Sequence, residues 1–179
     1  MAESFVNSVT RAVGVVTSSS AGAVGVQTNL ITGITTTNVT VGDIVDNSNY
    51  IAGTKVSSIG VNSTTCDRDS TNTTAATSQN VKYLGLTTAY TSATGVKSII
   101  IGGTFANNTT SEVELTVHLY DNSTSSTPAI VSKLPVPNGS SFVLSDTGKT
   151  VLEGLDAIRV YCDTANGIDV QLGILKGVS

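Results

Sequence analysis

Between residues 112 and 121 the chain alternates so regularly that it admits one local structure. Val113, Leu115, Val117 and Leu119 take every second place, and Glu112, Glu114, Thr116 and His118 take the others. Period two sends one set to a buried face and the other to water, the pattern of a half-buried strand. A second strand pattern runs over 157–176, with Ile158, Val160 and Cys162 at the same period. The two flank a turn-rich connection, Pro135-Val136-Pro137-Asn138-Gly139. Strands on either side of such turns predict an all-β protein, an antiparallel β-sandwich of jelly-roll or Ig-like type.

Composition points the same way. Only 12% of the 179 residues are charged, whereas long soluble helices draw on Glu, Lys and Arg. A mean hydropathy of +0.19, with Val, Ile and Leu in alternation, favours packed strands over disorder. The formal net charge is −4, and the nine basic residues are scattered. A nucleic-acid or anionic-membrane partner is therefore not expected, since both are attracted by clustered Lys and Arg. No run of about 18 apolar residues predicts a membrane span. The first residues, Met1-Ala2-Glu3-Ser4-Phe5, do not form a basic segment followed by an apolar one, so synthesis in a cytoplasm is expected.

The patterns divide the chain. A first strand is expected over 5–16, ended by a breaker at Thr17-Ser18-Ser19-Ser20-Ala21-Gly22. Short strands follow at 30–34, 40–45 and 50–56, and the Asn/Ser/Thr/Ala-rich stretch 61–79 reads as a long hairpin tip or exposed loop. Strand character returns at Val81-Lys82-Tyr83-Leu84. A strand at 96–105 turns through Asn107-Asn108-Thr109-Thr110-Ser111 into 112–121, which reads as a hairpin. Further strands at 130–134, 141–144, 150–152, 157–162 and 169–175 bring the second unit to about seven. Residues 1–17 plus 86–179 are thus expected to form the sandwich platform, and 18–85 an inserted β-rich lobe.

No catalytic constellation is expected. The only histidine, His118, sits on the polar face of its strand, where exposed surface or an intersubunit contact is the simpler reading. One His cannot build a His-rich metal site. Asp67 and Asp69 have the spacing that opens a calcium loop, but Asn72 stands where that loop needs Gly and Ser78 where it needs Glu. Glu112 and Glu114 share a wet face with nothing to separate their pKa values, so a glycosidase pair is not expected. The glycines form neither G-x-G-x-x-G before a helix nor a G-x-x-x-x-G-K-[ST] loop. No cofactor and no metal are expected, and the chain reads as a non-enzyme.

Cys162 follows Ile158 and Val160 at period two and reads as a small apolar core residue, whereas Cys66 falls in the polar stretch Thr65-Cys66-Asp67-Arg68-Asp69. A disulfide between them stays open on sequence, although a cytoplasmic origin favours free thiols. Tyr120 and Tyr161 fall opposite the inward positions of their strands and, with His118, are the candidate interface residues.

The segments "ANNTTSEVELTVHLYD", "LPVPNGSSFVLSDTGKTVLEGLDAIRVYC" and "GIDVQLGILKG" resemble small β-sandwich proteins of tailed-bacteriophage virions. In those proteins a P-x-P-x-G-S-S loop precedes a strand and a V-L-x-x-G-D-x-I-x-V segment follows. Here Leu155 stands between Gly154 and Asp156. The stretch "LITGITTTNVTVGDIVDNSNYIAGTKVSSIG" is similar to a V-G-D-x-V…I-x-G-T-x-V unit of phage fibre, tail and decoration proteins. The resemblance implies a virion structural protein, a capsid decoration or cement protein first and a neck or tail accessory or fibre protein second. Its expected partners are the major capsid protein or other virion proteins, with homo-oligomers expected, and its expected location is the virion, assembled in the host cytoplasm. A host-binding adhesin module is the competing class.

Overall fold

The structure is a computed structural model and describes residues 3–144 and 149–178. Among the described residues it is all-β, without helix, and built from antiparallel sheets. The chain opens with β1 (Ser4–Val13), β2 (Val15–Val24), β3 (Leu30–Thr32), β4 (Ile44–Asp46) and β5 (Val56–Gly60). It continues through β6 (Ser63–Cys66), β7 (Ala76–Gly85), β8 (Thr87–Thr91), β9 (Lys97–Asn107) and β10 (Val113–Tyr120). It ends with β11 (Ala129–Val136), β12 (Ser141–Val143), β13 (Thr150–Leu152), β14 (Ala157–Cys162) and β15 (Ile168–Val178). Two compact units emerge: Met1–Val13, Thr87–Tyr161 and Gly167–Ser179 form one, and Gly14–Leu86 with Cys162–Asn166 the other.

The first unit is the sandwich. One sheet runs β1-β15-β9-β12, with β13 also on β9, and the other runs β11-β10-β14-β8. Inward rows can be read across the first sheet: Val6, Ile174 and Ile100 in one, and Thr10, Val170, Phe105 and Phe142 in another. Ile100, Phe105, Val170, Leu172 and Ile174 are buried. They share the core with Val113, Leu115 and Val117 of β10 and Ile158 and Val160 of β14, all fully buried. Between β1 and β8, the Ser8 hydroxyl donates to the Ala89 carbonyl at 2.8 Å. This ties one margin of the sandwich with a side chain where no ladder is available.

Several sequence expectations meet corrections here. The alternation of β10 holds to Val117, but its pairing with β11 shifts on both sides of that residue, so Leu119 ends half-buried instead of in the core. The 107–111 turn does not close a hairpin, because β9 and β10 lie in different sheets. Asn107 makes the crossing: its amide donates to the carbonyls of Ser111 and Val136 at 2.7 and 2.8 Å, and its Oδ1 accepts from the Thr109 N–H and hydroxyl. A side chain therefore supplies the bonds that a hairpin would take from its ladder. β8 was not anticipated. Its sequence, TTAYT, is too short and polar to stand out.

In the second unit a single sheet runs β4-β7-β2-β3-β6-β5, around a core that includes Val24, Ile31, Val45, Tyr50, Val81 and Tyr83. The expected strand over 5–16 is broken at Gly14, whose φ of 91° suits only glycine. The expected breaker at 17–22 is instead the interior of β2, with Ser18–Ala21 paired to residues 80–83 of β7. Serine and threonine are tolerated there because backbone groups make the ladder. The 61–79 stretch likewise holds β6 and the start of β7. Cys66 is therefore not in a polar loop but buried at the end of β6, and burial pushes its thiol up to about 11. Cys66 and Cys162 are thiols, not joined in a disulfide. The expected strand at 40–45 shrinks to β4, and of 50–56 only the Lys55 bridge to Ile44 and Val56 at the start of β5 are extended, with Tyr50 turned inward to donate to the Thr28 carbonyl.

One turn device occurs in both units. In Thr40-Val41-Gly42-Asp43 the buried Asp43 carboxylate accepts from the N–H of Thr40 at 3.0 Å, and the Asp43 N–H donates to the Thr40 carbonyl. In Glu153-Gly154-Leu155-Asp156 the buried Asp156 carboxylate accepts from the N–H of Glu153 at 2.9 Å, and the Asp156 N–H donates to the Glu153 carbonyl. The third position carries positive φ in both, 98° at Gly42 and 73° at Leu155. The departure at Leu155 therefore puts a side chain where the turn favours glycine.

Candidate docking face

The interface candidates His118, Tyr120 and Tyr161 come together on the outer side of the β11-β10-β14-β8 sheet. The rings of His118 and Tyr161 meet edge to face at 5.6 Å between centroids, and the Arg159 guanidinium lies 3.6 Å from the Tyr120 ring centroid. The His118 Nδ1 bonds the Thr127 carbonyl at 2.9 Å. All four side chains are half-buried and meet in these two ring contacts, so much of this face is already packed within the chain.

The opposite sheet has a different outer face. Successive strands place Phe5, Leu175, Ile99 and Val151 in one cross-strand row over β1, β15, β9 and β13. A parallel row holds Val9, Gln171, Thr104 and Val143 over β1, β15, β9 and β12. Between them lies a third row, Asn7, Gly173 and Gly102. The register slips beside Gly173, and the extra residue on β9, Ile101, stands out into solvent. Phe5 is 78% exposed, Val9 65%, Val143 52% and Val151 51%. Those values are high for apolar residues in register with one another, because sheets with one wet face normally set polar residues there.

Glycine shapes the middle of the face. Phe5, Asn7, Ile101, Gly102, Gln171 and Gly173 line an open depression of about 360 Å³. A methyl group built on Gly102 or Gly173 would meet only one backbone oxygen, at 3.7 or 3.8 Å. Neither glycine is therefore required by packing or by φ. Their lack of side chain has its effect on the outside, where it leaves the floor open.

The charge pattern reinforces the contrast. No residue of the three rows is charged. Beyond them stand two exposed ion pairs, Arg11 with Asp169 at 3.9 Å and Lys97 with Glu153 at 3.3 Å. Such pairs add little stability, and they stand outside the rows, which stay uncharged. Four strands by three rows, at about 4.8 Å between strands and about 6.8 Å between like-facing residues, give roughly 400 Å². That is about half the 800 Å² per partner of a stable two-protein interface.

The residues considered for chemistry are otherwise engaged. Asp67 Oδ1 accepts the Lys55 N–H at 2.8 Å and the Asn72 amide donates to the Thr74 carbonyl, so both serve turns. Among the described residues no group of three or more His, Cys, Asp or Glu side chains could hold a metal ion.

No family model matches the chain, and no curated protein matches it. Among solved structures, the crystal structure of the infectious bursal disease virus VP2 subviral particle is similar at a TM-score of 0.19 and 10% sequence identity, over 98% of this chain and 80% of that one. A likeness of that order is too slight to argue from.

Proposed function

We propose that this chain is a non-enzymatic structural protein of a virion, a capsid decoration or cement protein of a tailed phage that binds neighbouring shell subunits through the outer face of the β1-β15-β9 sheet. The observation that supports this reading is the uncharged apolar face, with Phe5, Val9, Ile101, Val143 and Val151 exposed in register. Burying it releases apolar surface from water without stripping any charge. Its modest area makes a single contact weak. Repetition by symmetry on a lattice turns many weak contacts into a large total, which is how a cement acts. The resemblance of the segments 106–121, 134–162 and 167–177 to phage sandwich proteins supports the same class.

The experiment is compositional. Particles containing the chain should carry it in many copies at a fixed ratio to the major shell subunit, and shells lacking it should break at lower temperature or under milder osmotic shock. A handful of copies confined to the neck or tail would replace the cement reading with the accessory one. Scarce copies whose free form blocks infection would point to an adhesin.

A further inference from the structure

The sequence holds two Asn-Gly pairs, Asn138-Gly139 and Asn166-Gly167, and the fold treats them oppositely. We propose that Asn138 is a site of spontaneous modification, converting to aspartyl and isoaspartyl forms, while Asn166 is protected. Asn followed by Gly is the pair most open to this chemistry, since glycine puts no side chain between the asparagine amide and the next backbone nitrogen.

Asn138 and Gly139 are exposed at the second and third positions of the turn between β11 and β12. Gly139 has a φ of 69° and open space where a side chain would stand. The bond that closes this turn is donated by Ser140, to the Pro137 carbonyl at 3.1 Å. Among the described residues nothing accepts from the Gly139 N–H. At the second pair, the buried Gly167 donates its N–H to the Val13 carbonyl at 2.9 Å, and Asn166 donates to the Gly14 carbonyl at 3.1 Å. That backbone nitrogen reaches a neighbouring carbonyl carbon only after its own bond opens.

The reaction needs water alone. The Gly139 nitrogen gives its proton to solvent and attacks Cγ of Asn138; the new N–Cγ bond forms as the Cγ–Nδ2 bond breaks, and ammonia leaves. Water then opens the cyclic imide. Attack at Cγ yields aspartate, and attack at the backbone carbonyl carbon yields the isoaspartyl linkage. Either product places a new negative charge five residues before Val143 of the docking face.

The test holds the full-length folded chain at mildly alkaline pH and follows peptides spanning each pair by mass spectrometry, with isoaspartate read by methyltransferase labelling. A parallel sample is kept in urea. In the folded chain Asn138 should convert about tenfold or more faster than Asn166, and the two should become comparable in urea, because only local structure separates them. Comparable rates in the folded chain would overturn the proposal. So would an Asn138 that stays intact when folded while converting in urea.

Discussion

Replacing Asp156 should reveal how much of the sandwich depends on one turn. Asp156 is 6% exposed, and its carboxylate accepts two backbone hydrogens, from Glu153 at 2.9 Å and from Asn122 at 2.9 Å. Bonds to a charged acceptor contribute about 1.5–3 kcal/mol each, which sets an upper range of about 3–6 kcal/mol for Asp156→Ala. Asn122 is exposed, and water can replace its lost acceptor, so the expected loss is about 3 kcal/mol. Asp156→Asn keeps one oxygen for one of the two donors and should lose about half as much. Urea unfolding followed by far-ultraviolet circular dichroism suits a chain without tryptophan. The reasoning fails if Asp156→Ala unfolds at the wild-type midpoint, or if Asp156→Asn costs as much as alanine.

Val117→Asp should destabilise the sandwich by several kcal/mol, about 3 or more, because Val117 is fully buried and the new charge has no partner; a near-wild-type melting curve would refute the assigned face. Gly42→Ala should cost about 1–2 kcal/mol in urea unfolding, since φ is 98° there. Stability should also fall in alkali. Burial raises Cys66 from 9.0 to about 11 and Tyr83 from 10.0 to about 12, so the unfolded chain ionises first. The stabilisation is whole below pH 9.0 and is lost as pH rises through about 11 for Cys66 and about 12 for Tyr83. Urea midpoints across that window should fall, and Cys66→Ala should shift the onset upward. Excising the 14–86 segment with a short linker should leave residues of β1 and β8–β15 folded, as protease resistance would register; an unfolded product would show one continuous domain.

Period two made β10 and β14 legible because each strand has one dry and one wet face. The same rule hid β2, where Ser18-Ser19-Ser20 pairs through its backbone and carries little side-chain signal. It also missed the change of sheet at Asn107, since loop length alone does not reveal whether a side chain will take over the ladder's bonds. His118, Tyr120 and Tyr161 were visible as outward residues, but their stacking on one another and on Arg159 depends on neighbouring strands distant in sequence. A trace of the docking face was present in Ser98-Ile99-Ile100-Ile101, which is apolar on both faces. A central strand explains such a run equally well. Only the register with Phe5, Leu175 and Val151 shows that one side is left bare.

The most direct measurement is an add-back isotherm on shells lacking the chain, comparing wild type with Gly173→Val and Val9→Glu. The Gly173 position has room for a side chain and Val9 is 65% exposed, so both variants should fold and melt like wild type. Wild type should saturate at a fixed ratio to the major shell subunit and restore resistance to heat and osmotic shock, with only modest loss of binding at high salt. Both variants should bind at least about tenfold more weakly, one by filling the depression and the other by burying a charge. Wild-type binding by both folded variants would contradict docking through this face, and failure of the wild-type chain itself to bind shells would contradict the cement role.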